Sequence, residues 1–194
     1  MYDIAVIGAG ITGCSIAREL SRYNVRILLI EKNSDVADGT TKANSAIVHA
    51  GYDAKPGTLK ARFNVPGALM YEKLCSELDV HYKKTGSLVL AFSPEEMKTI
   101  QKLYDQGIAN GVPDMEIIGK DKVREIDGNL SEEVVGALYA RNAGIVSPWE
   151  LAIALAENAV ENGAELFLDS EVTKIEKMNG LYRLHMGDRL AEAR

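Results

Sequence analysis

The chain has 194 residues, 46% of them hydrophobic and 26% charged, with 17 glycines against 5 prolines. That is enough for one large domain, or one domain and part of another, and too apolar for disorder over most of its length. A net charge of −6 and a pI near 5.2 argue against a nucleic-acid partner, which needs a basic face to neutralise phosphates.

No apolar run approaches the roughly 18 residues that suggest a membrane span, so no transmembrane segment is expected. Met1-Tyr2-Asp3-Ile4 leads straight into a strand with no basic leader, which points to a cytoplasmic protein and leaves only a peripheral membrane contact open. Cys14 and Cys75 form neither a disulfide framework nor a metal-ligand spacing. Both fall in expected helices as small buried residues, as in a reducing compartment, and no metal site is expected.

Asp3 to Ile7 is a short apolar run that stops at Gly8, the pattern of a buried parallel strand. Thr12 to about Arg22 follows at helical spacing, and Val25 to Ile30 is a second β-rich run ending at Glu31. Strand, helix and strand fit within about 30 residues, the size of a βαβ unit. Asn33 to Asn44 is polar and is expected as an exposed connection. Thr58 to Leu78 reads as a helix kinked near Pro66-Gly67.

From His81 the texture changes. Gly86 to Phe92 is a strand, Ser93-Pro94 opens a helix, and Gly111-Val112-Pro113 ends it. Met115 to Ile118 and Gly136 to Ala140 read as strands, with a short helix over Asp121 to Ile126. Ser147-Pro148 caps an amphipathic helix that runs to Asn162-Gly163. Trp149, in its first turn, is expected to pack and pin that helix. Strands follow at Glu165 to Leu168, Val172 to Lys177 and Leu181 to Met186, the last two joined by the hairpin pair Asn179-Gly180. The charge groups at Lys83-Lys84, Lys120, Lys122 and Arg124, and the glutamate pairs Glu95-Glu96 and Glu132-Glu133, read as solvated faces.

The turn out of the first strand, Gly8-Ala9-Gly10-Ile11-Thr12-Gly13, matches G-x-G-x-x-G. Gly8 permits the sharp turn, Gly10 presents no Cβ to an approaching pyrophosphate, and Gly13 lets the helix lie close to the strand. The helix start adds unpaired N–H groups and a positive dipole end. Glu31, eighteen residues after Gly13, can accept hydrogen bonds from ribose hydroxyls and disfavours a 2′-phosphate, so NADP is the least favoured dinucleotide. Between NAD and FAD the next segment decides. Asp38 to Ser45 is a polar run suited to a long pyrophosphate-ribityl chain, where an NAD domain would soon enter a helix and third strand. FAD is the expected cofactor.

Residues 39–61, GTTKANSAIVHAGYDAKPGTLKA, resemble the flavin-proximal segment of the FAD-dependent glycerol-3-phosphate dehydrogenase and oxidase family. That family belongs to the D-amino-acid-oxidase-like superfamily, which also holds L-2-hydroxyglutarate oxidases with a similar N-S-x-x-x-H-x-G pattern, here Asn44 to Gly51. Residues 143–176 resemble the superfamily's second FAD-domain segment, and the likeness covers almost the whole chain.

The resemblance implies an α/β fold: a Rossmann-like FAD-binding domain over residues 1–80 and 144–194, with part of a mixed α+β substrate domain, 81–143, inserted. It implies that Gly8, Ala9, Gly10, Ile11, Thr12 and Gly13 hold the pyrophosphate and that Glu31, with Lys32, holds the adenosine ribose. Thr40, Thr41, Asn44, Ser45 and Ala46 would line the pyrophosphate and ribityl region, and Val172 would meet the adenine. It implies oxidation of a small 2-hydroxy substrate, sn-glycerol 3-phosphate first and L-2-hydroxyglutarate second, with oxygen, quinone or a protein as electron acceptor. A non-catalytic nucleotide-binding fragment is the reading from another class.

Family members are longer, and the apolar strand they carry next is not recognisable in Leu190 to Arg194. The expectation is an N-terminal portion that does not turn over by itself. Of the three histidines His49 is the candidate base or substrate contact, because a group titrating near neutral pH suits a hydroxyl proton. A flavin-packing residue and a covalent flavin attachment point are its other readings. His81 and His185 read as structural or exposed. Tyr52 and Lys55 are candidates to assist a substrate phosphate or carboxylate.

Overall fold

The computed structural model describes residues 1–194. Its elements begin with β1 (Ile4–Ile7), α1 (Ile11–Leu20), β2 (Ile27–Ile30), a single 3-10 turn at Thr40–Lys42, β3 (Ile47–Val48) and α2 (Leu59–Glu77). Next come β4 (Tyr82–Lys83), β5 (Ser87–Ala91), α3 (Pro94–Ala109), β6 (Met115–Gly119), α4 (Lys120–Ile126), β7 (Gly136–Ala140) and β8 (Gly144–Val146). The chain closes with α5 (Pro148–Glu161), β9 (Glu165–Phe167), β10 (Lys174–Met178), β11 (Leu181–Met186) and β12 (Arg189–Ala193). These group into two compact units: Met1–Ser45 with Glu77–Val80 and Ser147–Arg194, and Ala46–Ser76 with His81–Val146. Residues 46–76 therefore pack with the second unit, so the first is narrower than the nucleotide-binding division expected from the sequence.

In the first unit β2 is the centre of a parallel sheet, with β1 on one side and β9 on the other. Its four residues, Ile27, Leu28, Leu29 and Ile30, are each at most 1% exposed. Burial on both faces explains why the run is continuously apolar rather than alternating. Leu28 and Ile30 pack against Leu184, Met186 and Ala191 of the antiparallel meander β10-β11-β12. The pleat turns Ile27 and Leu29 the other way, toward the layer in which α1 packs on β2 and α5 packs on α1.

The β10–β11 turn has Asn179 and Gly180 at φ 50 and 82, the left-handed pair of a type I′ hairpin, with Met178 opposite Leu181. Residues 189–193 form a further strand. They pair with β11, Leu184 opposite Ala191, and Ala193 bridges Tyr2 in parallel. Leu190, 59% exposed beside buried Ala191 and Ala193, masks its period-2 pattern in the sequence.

Helix α5 starts as its cap pair dictates: Ser147 Oγ accepts from the Glu150 N–H at 3.4 Å, and Pro148 takes the first position. Trp149 does not pin it. The buried stripe is Pro148, Leu151, Ala152, Leu155, Ala156 and Ala159, and Trp149, a position off that stripe, is 47% exposed.

In the second unit β7 lies between β5 and β6, all antiparallel. On one face Ala91 and Leu138 pack with Ile100 of α3; on the other Ala137 and Ile118 pack with Val123 of α4. Helix α3 opens where expected, with Ser93 Oγ accepting from the Glu96 N–H at 3.2 Å and the Glu96 carboxylate from the Phe92 N–H at 2.6 Å. Helix α2 continues through Pro66. A second small sheet, β3-β8-β4, is absent from the sequence expectations because strands of two or three residues carry no usable period.

Replacing Leu28 with Ala should lower unfolding free energy by about 2–5 kcal/mol, the usual cost of a cavity at a fully buried leucine. Urea denaturation measures it. A loss below about 1 kcal/mol would show that the sheet and meander do not share a packed core.

Candidate functional site

The chain leaves β1 at Gly8, whose φ of 99 suits glycine, and the Gly8 N–H donates to the Ile30 carbonyl at 2.7 Å. It enters α1 at Gly10, an N-cap with no side chain to cap the helix. At Gly13 the helix approaches the strand so closely that a Cβ there would overlap the Gly8 carbonyl oxygen. At Gly10 the nearest atom to such a Cβ is the Thr41 hydroxyl oxygen, 3.2 Å away.

The loop is held from outside itself. The Ala9 N–H donates to Glu31 Oε2 at 2.8 Å, and the Ala9 carbonyl accepts from the Ala37 N–H at 2.9 Å. The Ile11 N–H donates to Thr41 Oγ1 at 3.0 Å. The N–H groups of Gly10, Thr12 and Gly13 have no protein acceptor. They border a cleft of about 450 Å³, lined by Ile7, Ile16 and the loop on one side and by Thr40, Thr41 and Asn44 on the other. Unpaired donors, a helix dipole and a missing Cβ make a donor set that fits a pyrophosphate.

Glu31 stands at the end of β2, only 8% exposed, with Oε1 also accepting from the Asn33 N–H at 3.0 Å. Each oxygen keeps a lone pair, so the carboxylate can also accept from a ribose diol. Beside it, burial pushes the Cys14 thiol up to about 11, helped by the Glu31 charge, and the neutral thiol donates to the Ala9 carbonyl at 3.3 Å. Lys32 is exposed. Val172 is half-buried and packs against the Leu28–Ile30 cluster.

The connection over 33–44 is not simply exposed. Val36, Ala37 and Thr41 are buried, because Ala37 and Thr41 reach back to the phosphate loop. Ala37 takes φ 62 to do so. Thr40, Asn44 and Ser45 stay exposed, and the Asn44 amide closes the turn on the Thr41 carbonyl at 2.8 Å.

Ala46 and His49 belong to the second unit. Ala46 is half-buried at φ 60, and its carbonyl accepts from the Val146 N–H at 3.1 Å. The His49 side chain is exposed between buried Val48 and Ala50. Its backbone is fixed: Asn64 Nδ2 donates to the His49 carbonyl at 2.8 Å, and Asn110 Nδ2 to those of Gly51 and Ala54 at 3.0 and 2.6 Å. No sequence signal marks Asn64, inside α2, or Asn110, at the C-cap of α3, as anchors of this backbone.

Tyr52 is half-buried and packs into apolar clusters with Met115; Lys55 is exposed. His81 is exposed, whereas His185 pairs with Glu176 at 2.7 Å. Lys174 first, and then His185, hold the Glu176 carboxyl down at about 2. No group of three His, Cys, Asp or Glu side chains is placed to share a metal ion.

Gly13→Ala should cost about 3 kcal/mol or more, since the obstacle is backbone and cannot turn aside. Gly10→Ala should cost far less, because its neighbour is a hydroxyl. Thermal melts of the two variants check this, and equal losses would mean that helix and strand are not in close approach.

A family described as FAD dependent oxidoreductase matches residues 3–193. The chain is 61% identical over 184 residues to a glycerol 3-phosphate dehydrogenase of Caloramator mitchellensis, covering 95% of this chain and 38% of that protein. It is 33% identical to the L-2-hydroxyglutarate dehydrogenase of Escherichia coli, covering 93% of this chain and 43% of that protein. Its structure superposes on the dithionite-reduced L-alpha-glycerophosphate oxidase of Mycoplasma pneumoniae with FAD bound, with a TM-score of 0.89 and 27% identity. That match covers 97% of this chain and 50% of the oxidase. The chain thus spans half or less of the length of these relatives, and no helix in it is long and apolar enough to cross a membrane. It belongs to the FAD dependent oxidoreductase family.

Proposed function

We propose that this chain is the FAD-binding portion of an enzyme that oxidises sn-glycerol 3-phosphate. The observation that carries the substrate is the 61% identity to a glycerol 3-phosphate dehydrogenase over 95% of the chain. L-2-hydroxyglutarate is the second reading, supported by 33% identity to a dehydrogenase of that substrate. In this proposal residues 1–80 and 144–194 form the cofactor domain and 81–143 part of the substrate domain. Its place is the cytoplasm, a reading supported by two free, buried cysteines.

Each part of the chain has a proposed task. Gly10, Thr12 and Gly13 offer N–H groups to the pyrophosphate, with Ala9 and Ile11 fixing the loop's shape. Glu31 accepts from the adenosine ribose, flanked by Lys32, and Val172 borders the adenine. Thr40, Thr41, Asn44, Ser45 and Ala46 line the path from pyrophosphate to ribityl chain. When bound, the flavin supplies the hydride acceptor. His49 takes the hydroxyl proton of the substrate, its exposed ring set on a backbone that Asn64 holds in place.

Reconstitution with FAD followed by gel filtration should leave flavin absorbance on the protein. In the whole enzyme sn-glycerol 3-phosphate should bleach that absorbance, and bleaching by L-2-hydroxyglutarate instead would move the substrate to the second reading. His49→Ala should lower turnover by roughly 10²–10⁴, the usual worth of a positioned general base, with flavin content unchanged. Unchanged turnover would remove His49 from the chemistry, and flavin lost only in the variant would make it an anchor.

A further inference from the structure

Helix α5 carries a second apolar line that its own packing does not use. Trp149, Ile153 and Val160 stand four and then seven residues apart, so they share one helix face, beside the buried stripe and not within it. Trp149 is 47% exposed, Val160 is 44% exposed, and Ile153 is half-buried. With Leu166 of β9 and Val36 of the 33–44 connection, Ile153 and Val160 line a groove of about 530 Å³ within the first unit. Trp149 precedes Ile153 by one turn.

The rim of the groove carries one sign of charge. Asp35, Glu157 and Glu161 line it, and no lysine or arginine does. The two glutamate carboxylates have no hydrogen-bond or ion-pair partner in the protein, and neither has that of Glu150, on the same flank of the helix. Elsewhere in this unit Glu77 pairs with Arg18, Glu176 with Lys174 and His185, and Glu192 with Arg183. Glu157 and Glu161 are also badly placed for the helix itself. They are like charges at i and i+4 in the last turns of α5, where the helix dipole is negative and no basic residue stands. Local helix chemistry does not account for them. Cations brought from outside would relieve both penalties.

We propose that the outer face of α5, with Val36 and Leu166, is a docking groove for a basic amphipathic helix of another protein. The apolar side chains of that helix fill the groove, and its lysines or arginines meet Asp35, Glu150, Glu157 and Glu161. From Trp149 to Glu161 the face is about 18 Å long, room for roughly three turns of such a helix. Trp149 anchors one end, and tryptophan is among the residues that carry most of the binding energy of an interface. The acidic rim argues against other occupants. A second copy of this chain would bring the same carboxylates face to face, and an anionic lipid surface would be repelled. None of the residues assigned to the dinucleotide lines the groove, so docking does not depend on that assignment.

The probe is a synthetic helical peptide of about 14 residues, with leucine on one face, lysine on the other and no tryptophan. Its control is the same peptide with glutamate for lysine. Trp149 is the only tryptophan of the chain, so its emission should shift to the blue as the lysine peptide seats, and calorimetry gives the affinity. Trp149→Ala and Val160→Asp, both at exposed positions, should melt with the parent and bind about tenfold more weakly or worse. Glu157→Lys with Glu161→Lys should weaken binding as much, yet melt above the parent and accept the glutamate peptide instead. That gain separates lost docking from lost folding. Equal affinity of the parent for the two peptides, or undiminished binding by Trp149→Ala and Val160→Asp, overturns the groove as the site. Self-association of the parent that Trp149→Ala dissolves would make the occupant a second copy and overturn the proposal. The relatives are twice as long or more, so the peptide is also offered to the whole enzyme. Failure to bind there would mean that the rest of the protein covers the groove, which likewise overturns it.

Discussion

Everything at this site depends on how near α1 comes to β1. The helix lies where a single methyl at Gly13 would meet the Gly8 carbonyl, so its first turn is aimed by contact with the strand. Two conditions make that approach possible. The sheet must be held in place beneath it, which the four buried residues of β2 and the meander behind Leu28 and Ile30 do. The loop must also keep one shape while the N–H groups of Gly10, Thr12 and Gly13 stay unpaired. Glu31, Ala37 and Thr41 supply that shape from outside, each through one bond to the loop.

The parts that were legible in the sequence are those written in consecutive residues. Gly8 to Gly13 lie between a recognisable strand and helix, Ser147-Pro148 opens a helix, and Asn179-Gly180 turns a hairpin, each through local backbone chemistry. The supports of the loop are legible in type and not in task. Glu31 stood out by its position at a strand end, yet its bonds to the Ala9 and Asn33 amides follow only from the folded chain. Ala37 gave no signal, because an alanine at positive φ is chosen by the hydrogen bond it completes and by nothing in its side chain. The polar texture of 33–44 hid the burial of Ala37 and Thr41 for the same reason: burial there is driven by bonds to the loop and not by a hydrophobic period.

The second unit shows the same division. Its sheet and helices followed from caps and apolar runs, while the strands β3, β4 and β8 were too short to read. The backbone around His49 is held by asparagine side chains, Asn64 from α2 and Asn110 from the C-cap of α3. Such bonds to carbonyls replace the ladder that a loop lacks, and they allow an exposed ring to stand on a fixed base.

A net charge of −6 looks ill suited to a ligand that carries a pyrophosphate. No lysine or arginine lines the cleft, and a buried carboxylate lies just behind it. The conflict disappears once the source of the field is identified. The polar groups facing the cleft are amide dipoles and threonine hydroxyls, the loop among them fixed in direction by Glu31, Ala37 and Thr41, and they act at hydrogen-bond range, where the long-range field of surface charges is screened by salt. The Glu31 charge is turned toward the Ala9 amide, so it shapes the loop from behind. Oriented backbone thus does here what a cluster of cations does in a site of looser construction, and that substitution is what requires the glycines, the close helix and the bond from Ile11 to Thr41 together.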